Sequence, residues 1–110
     1  MGDRGHVHIE DTGVWLYTHW GASRLEDDVA SALARRLRWM DPEYLARIIF
    51  DVMIGTQQGT ETGFGIGTHQ HGDTWKHIHI NCEERTVTVD QPPWEGSFEE
   101  FVEKHGYVVA

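Results

Sequence analysis

The stretch Val14-Trp15-Leu16-Tyr17-Thr18-His19-Trp20 is rich in β-branched and aromatic side chains, and Gly21 is the first residue that interrupts it. It predicts the central strand of a sheet. Because alternate side chains of a strand point to opposite faces, Trp15, Tyr17 and His19 share one face. Both faces are apolar or aromatic, so we expect either a strand covered on both sides, by the chain itself or by a partner subunit, or a stacking platform for a flat ligand.

Two helices are predicted downstream of this strand. Ser23-Arg24-Leu25-Glu26 has the S-x-x-E form of a capping box, which predicts a helix beginning there. Apolar residues recur at fourfold spacing along this helix: Leu25, Val29, Leu33 and Leu37. Its predicted last turn is basic, which suits the helix dipole, and contains Arg35, Arg36 and Arg38. Asp41-Pro42 gives an N-cap and a first-turn proline for a second, mostly apolar helix that runs to about Ile54.

The remaining elements are mainly strands. His6-Val7-His8-Ile9 predicts a short edge strand after a flexible start over residues 1–5, and residues 62–68 predict another strand. Alternating patterns at 77–80 and 86–90 predict a hairpin that turns at Glu83-Glu84 and ends at Pro92-Pro93. A second capping box, Ser97-Phe98-Glu99-Glu100, predicts a last helix.

The order β-β-α-α-β-β-β-α, with strands mostly joined by tight turns, predicts the fold class. We expect one α+β domain over residues 1–110, with a mainly antiparallel sheet and helices packed on one face.

Composition excludes several classes of function. The formal net charge of −9 over 110 residues opposes general nucleic-acid binding and attraction to anionic lipid. No stretch approaches the roughly 20 apolar residues of a membrane span. The lone Cys82 forms no internal disulfide, and no secretory leader pattern opens the sequence. These features predict a cytoplasmic protein.

Three segments carry a family resemblance: Leu16-Tyr17-Thr18-His19-Trp20-Gly21, Tyr44-Leu45-Ala46-Arg47-Ile48-Ile49-Phe50 and Glu61-Thr62-Gly63-Phe64-Gly65-Ile66-Gly67. The chain resembles, from about residue 14 to 102, a family of small proteins of phages, actinobacteria and haloarchaea that has no established activity. The resemblance implies a shared compact fold. Its phage members suggest an accessory or anti-defence protein that sequesters a nucleotide-like ligand or a partner protein.

The segment Gly63-Phe64-Gly65-Ile66-Gly67 places three glycines on one face of a strand and leaves that face as bare backbone. A packed helix, a neighbouring ring or a ligand would fill the space. If the glycine face lies beside Trp15 and Tyr17, the two form a shallow pocket.

Arg47 has two interpretations. It either forms an exposed ion-pair row with Glu43 and Asp51 one turn away, or binds an anion in the pocket with Arg24 as its helper. The candidate ligand-binding residues are Trp15, Tyr17, His19, Trp20, Arg24, Arg47, Thr62, Gly63, Gly65 and Gly67.

Histidines number eight and include the pairs His6-x-His8, His69-x-His71 and His77-x-His79. Each pair offers two imidazoles on one strand face, and two neighbouring strands could complete a tetrahedral set. The candidate metal ligands are His69, His71, His77 and His79, with Zn²⁺ or Ni²⁺ as the ion. The alternative is that these are ordinary exposed histidines of strand faces.

The sequence does not support any residue as a catalytic nucleophile. Ser23 and Ser97 are assigned to caps, Ser31 lies inside a helix, and Cys82 alternates with buried isoleucines. We therefore predict a non-enzymatic protein that binds a small molecule or a partner protein. Two alternatives remain open: a metal-dependent hydrolase built on the His-x-His clusters, and a structural homodimer that pairs through the histidine-bearing edge strand.

Overall fold

The computed structural model describes residues 2–110. Its elements in chain order are β1 (Gly5–Ile9), β2 (Val14–Thr18), a 3-10 turn (Ala22–Arg24), α1 (Leu25–Ala34), α2 (Pro42–Ile54), β3 (Phe64–Gly67), β4 (Lys76–Asn81), β5 (Thr86–Asp90), β6 (Pro93–Ser97) and α3 (Phe98–Lys104). The α+β class is confirmed. The predicted flexible start includes Met1, which lies outside the described residues, and Gly5 already belongs to β1.

The six strands form one mixed sheet in the order β3-β2-β1-β4-β5-β6. Strands β1 and β4 pair in parallel, and the other four neighbouring pairs are antiparallel, so the mainly antiparallel sheet is confirmed. The prediction that β1 is an edge strand was wrong, because β1 pairs with β2 on one side and β4 on the other. Because β1 is paired on both sides, it has no free edge for the predicted homodimer to pair through.

Strand β6 was not predicted. We expected Pro92-Pro93 to end the hairpin, but β6 begins at Pro93 and pairs antiparallel with β5 at the edge of the sheet. A proline is tolerated at the first residue of an edge strand, where its missing N–H removes no ladder bond. The predicted element order therefore lacks one strand.

The first helix differs from its prediction at both ends. Helix α1 begins at Leu25, and Ser23 donates hydrogen bonds from its amide and its hydroxyl to the Asp3 carboxylate. The helix ends at Ala34, before the three arginines expected in its last turn. The buried Trp39 explains this end, because its indole Nε1 donates to the carbonyl oxygen of Leu33 at 3.0 Å and the chain must turn back after the helix.

The other two helices follow the sequence closely. Helix α2 begins at Pro42 and ends at Ile54 as predicted. The capping box of α3 is confirmed, because the Glu100 amide donates to Ser97 Oγ at 3.0 Å and the Ser97 amide donates to Glu100 Oε1 at 2.8 Å. Within the described part of the chain, none of the helices is long and apolar enough to cross a bilayer.

One apolar cluster contains buried side chains of both the sheet and the helices. Its strand members alternate along β1, β2, β4 and β5, and its helix members include the large buried side chains: Val7, Ile9, Leu16, Ile78, Ile80, Val87 and Val89, with Leu25, Leu33, Leu45, Ile49, Phe98 and Phe101. Since side chains alternate along a strand, the intervening residues project from the opposite face, where the candidate site lies.

Candidate functional site

Imidazole and aromatic rings meet on the face of the sheet opposite the apolar cluster. We call this the histidine face and define it by His6, His8, Trp15, Tyr17, His77 and His79. The antiparallel register sets β1 histidines beside β2 aromatics, and the parallel register sets the same histidines beside β4 histidines. Strand β1 therefore carries the centre of the site.

His6 is the buried centre of this face. Its ring lies 5.2 Å from the Trp15 ring and stacks on His71 at 5.3 Å between centroids. Its Nε2 accepts the His71 amide at 3.4 Å, which leaves the Nδ1 proton for Thr74 Oγ1 at 3.2 Å. Burial, followed by the charges of His71 and His77, lowers the pKa of His6 to about 4. The imidazole is therefore neutral at neutral pH.

A hydroxyl, an imidazole and a carboxylate line up beside His6. Thr74 Oγ1 lies 2.7 Å from His77 Nε2, and His77 Nδ1 lies 3.0 Å from Asp90 Oδ2. This row was not predicted from the sequence, where only serine and cysteine were considered as nucleophiles. The Thr74 hydroxyl donates to the His71 carbonyl oxygen at 3.1 Å within the loop before β4. The contacts of Thr74 with His6 and His77 join this loop to the sheet. No sequence spacing signals the row, because its members come from a loop and two strands.

Five of the predicted ligand-binding residues line one hollow of about 400 Å³: Tyr17, His19, Trp20, Thr62 and Gly63. Tyr17 and His19 are joined by a 2.9 Å hydrogen bond between the hydroxyl and Nδ1. The Trp20 side chain is 55% exposed and stands edge-on to His19, with 4.6 Å between ring centroids. The hollow thus combines an accessible indole with polar groups.

The three glycines of the segment 63–67 have two different roles. Gly65 lies opposite Tyr17, and Gly67 lies opposite Trp15, in the register of β2 and β3. A methyl group at Gly65 would have Tyr17 as its nearest neighbour at 3.9 Å, and at Gly67 it would meet no heavy atom of residues 2–110 within 4 Å. Gly63 precedes the strand and lies against Trp20. The backbone at Gly65 and Gly67 therefore forms an open strip beside the two rings.

The two candidate arginines lie outside this hollow. Arg47 pairs with Asp51 at 2.6 Å on the exposed side of α2, and Asp51 is one of the two partners that the ion-pair interpretation predicts. It lines a different groove, of about 360 Å³, on the Leu16 side of β2. Arg24 lies 3.6 Å from Asp28. Both guanidinium groups therefore have carboxylate neighbours of their own.

The four predicted metal ligands are distributed over separate contacts. His71 stacks on His6 and lies 5.2 Å from His69 between ring centroids, while His77 lies beside Asp90. His79 instead meets His8, with 3.1 Å between the two Nδ1 atoms. Among residues 2–110, donor atoms of His8, Glu10 and His79 all lie within 4.8 Å of one another.

Glu10 was not predicted as a metal donor from the sequence. A period-two signal could have found it, because His8 and Glu10 are separated by one residue and share a face of the extended chain. The partner strand could not be found in this way.

Cys82 is buried, as predicted. Burial, followed by the charge of Asp11, raises the pKa of its thiol to about 12. The thiol is therefore protonated at neutral pH and is a poor nucleophile or metal ligand.

Comparisons of the chain with family models, with curated proteins and with solved structures gave no match.

Proposed function

We propose that this protein is a small binding protein that stacks a flat, nucleobase-like ligand on Trp20, in the hollow lined by Tyr17, His19, Thr62 and Gly63. The observation that carries the proposal is the exposed indole at the rim of an open hollow with polar groups in its wall. Stacking of a base on an aromatic side chain contributes about 1–3 kcal/mol.

The polar groups of the hollow suit the edge of a base. His19 offers ring nitrogens and Thr62 a hydroxyl, and each can donate or accept a hydrogen bond. The open strip at Gly65 and Gly67 allows a ring to approach the backbone closely. Recognition of this kind fixes the orientation of a flat ligand without a charged residue.

The charges favour recognition of the base over recognition of phosphate. Arg24 and Arg47 lie beside Asp28 and Asp51 and do not line the hollow. The net charge of −9 also disfavours polyanions. We therefore propose a nucleoside, or a nucleotide with little charge, as the ligand class. Packing of the helices on the opposite face of the sheet would leave the hollow accessible to such a ligand.

A biological role follows only from the family resemblance. A phage-type accessory or anti-defence protein that sequesters a nucleotide-like ligand would need a binding site without catalytic machinery. The volume of the hollow, about 400 Å³, and its combination of an indole with polar groups support this proposal.

The test is titration calorimetry of the purified protein with a panel of nucleosides and nucleotides, together with native mass spectrometry for co-purifying small molecules. We expect one-to-one binding that weakens about tenfold in Trp20→Ala, as the loss of about 1.4 kcal/mol of stacking requires. Tyr44→Ala is the matched control, because Tyr44 is another exposed aromatic, 53% exposed, and lies on α2. It should bind as the unchanged protein does.

Two outcomes would refute the proposal. One is the absence of both binding heat and a co-purifying species across the panel. The other is binding that Trp20→Ala leaves unchanged.

A further inference from the structure

The parallel pairing of β1 with β4 brings together two histidines that lie 71 positions apart in the sequence. His8 and His79 are register partners on the histidine face, and their Nδ1 atoms lie 3.1 Å apart. Glu10 continues the same ladder, because its amide donates to the Ile80 carbonyl oxygen at 2.9 Å. Its Oε2 lies 4.0 Å from Nδ1 of His79.

These distances match the needs of a small divalent cation. Nitrogens bound to one tetrahedral Zn²⁺ at about 2.0–2.1 Å lie roughly 3.4 Å from each other. The two imidazoles are within a few tenths of an ångström of that spacing, and the three donor atoms all lie within 4.8 Å of one another. A modest rotation of the Glu10 side chain would complete three ligands.

The donors are also held in place by neighbours. The Trp15 ring stacks on His8 at 4.0 Å with only 8° between the planes, which fixes the tilt of that imidazole. The side-chain amide of Asn81 donates to Glu10 Oε1 at 3.3 Å and leaves Oε2 on the His79 side. Such outer contacts orient metal ligands and raise affinity.

We propose that His8, Glu10 and His79 bind a divalent transition metal of the Zn²⁺ class. Two imidazoles and one carboxylate form the ligand set of open zinc sites, in which a fourth position is left for water or a ligand. His79 and Glu10 are partly exposed, with side chains 23% and 43% accessible, so an ion can reach them from solvent. The excess of acidic residues in the chain favours a cation.

This site is separate from the hollow at Trp20 and differs from the metal set predicted from the sequence. That set comprised His69, His71, His77 and His79, and only His79 is common to both. The two metal hypotheses can therefore be distinguished by substitution of residues that belong to one set alone.

The experiment uses the full chain, made without a polyhistidine tag and stripped with a chelator. Zn²⁺ is titrated in competition with a chromophoric chelator, and native mass spectrometry counts the bound ions. We expect one Zn²⁺ per chain and an affinity that falls at least tenfold in Glu10→Gln and in His79→Ala. The visible absorption of bound Co²⁺ should indicate a four- or five-coordinate site and should be lost in both variants.

His69→Ala and Glu83→Gln are the matched controls, since both residues are exposed and lie outside the proposed set. Neither should change the affinity, and thermal melts of every variant show whether it folds. Glu10→Gln keeps the shape of an exposed side chain, so it tests the site even if His79→Ala unfolds. Absence of one-to-one binding, equal affinity in Glu10→Gln, or loss of binding in His69→Ala would each overturn the proposal.

Discussion

Gly63 lies so close to Trp20 that a methyl group on its Cα would be 2.8 Å from Cζ3 of the indole. Its φ of +99° also lies in the region that side-chain-bearing residues rarely adopt. The neighbouring backbone is tied down, because the His19 amide donates to the Gly63 carbonyl oxygen at 2.9 Å. This glycine therefore determines where the exposed indole stands at the hollow.

Substitution Gly63→Ala should destabilise the fold by about 1–3 kcal/mol, because the new methyl group meets both backbone strain and the Trp20 ring. Urea unfolding followed by tryptophan fluorescence measures the free energy of unfolding. Gly67→Ala is the control, because no heavy atom in the described part of the chain lies within 4 Å of its added methyl group. It should stay within about 0.5 kcal/mol of the unchanged protein. Equal effects of the two substitutions would contradict the assignment.

Lys76 and Glu26 form an ion pair where β4 meets α1, with side chains 5% and 18% exposed. Glu26→Gln should cost about 3 kcal/mol, the lower end of the range for a broken buried pair, because it leaves the Lys76 ammonium without its charged partner. The free energy of unfolding in urea at neutral pH is the measurement.

Two controls separate burial from charge in this prediction. Asp51→Ala removes the exposed partner of Arg47 and should cost less than about 1 kcal/mol. Adding Lys76→Met to Glu26→Gln should recover part of the loss, because the unpaired charge disappears. A double variant no more stable than Glu26→Gln alone would show that the pair is not the cause.

His6 predicts a dependence of stability on pH. Its pKa is about 4 in the folded protein and about 6.5 in the unfolded chain, so the unfolded chain binds more protons between these values. Above pH 6.5 His6 is neutral in both states and does not lower the free energy of unfolding. As the pH falls toward 4, His6 alone lowers the free energy of unfolding by about 3 kcal/mol. Unfolding in urea at a series of pH values checks this, and His6→Phe should remove that part of the dependence.

Asp28 acts in the opposite direction over an overlapping range. Burial is the main cause that raises the pKa of its carboxyl to about 6, so protonation of Asp28 stabilises the folded protein as the pH falls through that value. Asp28→Asn should consequently steepen the loss of stability toward acid pH. A flatter profile in this variant would contradict the sign of its contribution.

Local patterns predicted most elements of the fold. The alternation of Ile78 and Ile80 with two histidines marked β4, and the box of Ser97 and Glu100 marked the start of α3. Ser23 has the same box pattern, yet it bonds to Asp3, because a tertiary neighbour competed for its hydroxyl. A short motif therefore predicts a cap only when no distant partner takes its place.

The sequence predicted part of the candidate site, because local patterns show which residues share a face but not which strands become neighbours. The Trp15, Tyr17 and glycine positions follow from strand periodicity, and the register of β2 with β3 places Gly65 and Gly67 beside those rings. The structure brings together donor atoms of His8, Glu10 and His79, a group that differs from the four predicted histidines, because His-x-His spacing identifies a shared face but not the strand that will lie next to it.

The amino-acid sequence by itself determined most of the strands and helices, since alternation, helical periodicity and capping depend on residues a few positions apart. Only the tertiary structure decided that β1 lies inside the sheet and that His8 meets His79. The order of the strands depends on which apolar faces pack together and on how strands far apart in the chain pair. The free energy that favours this pairing comes from burial of the whole core.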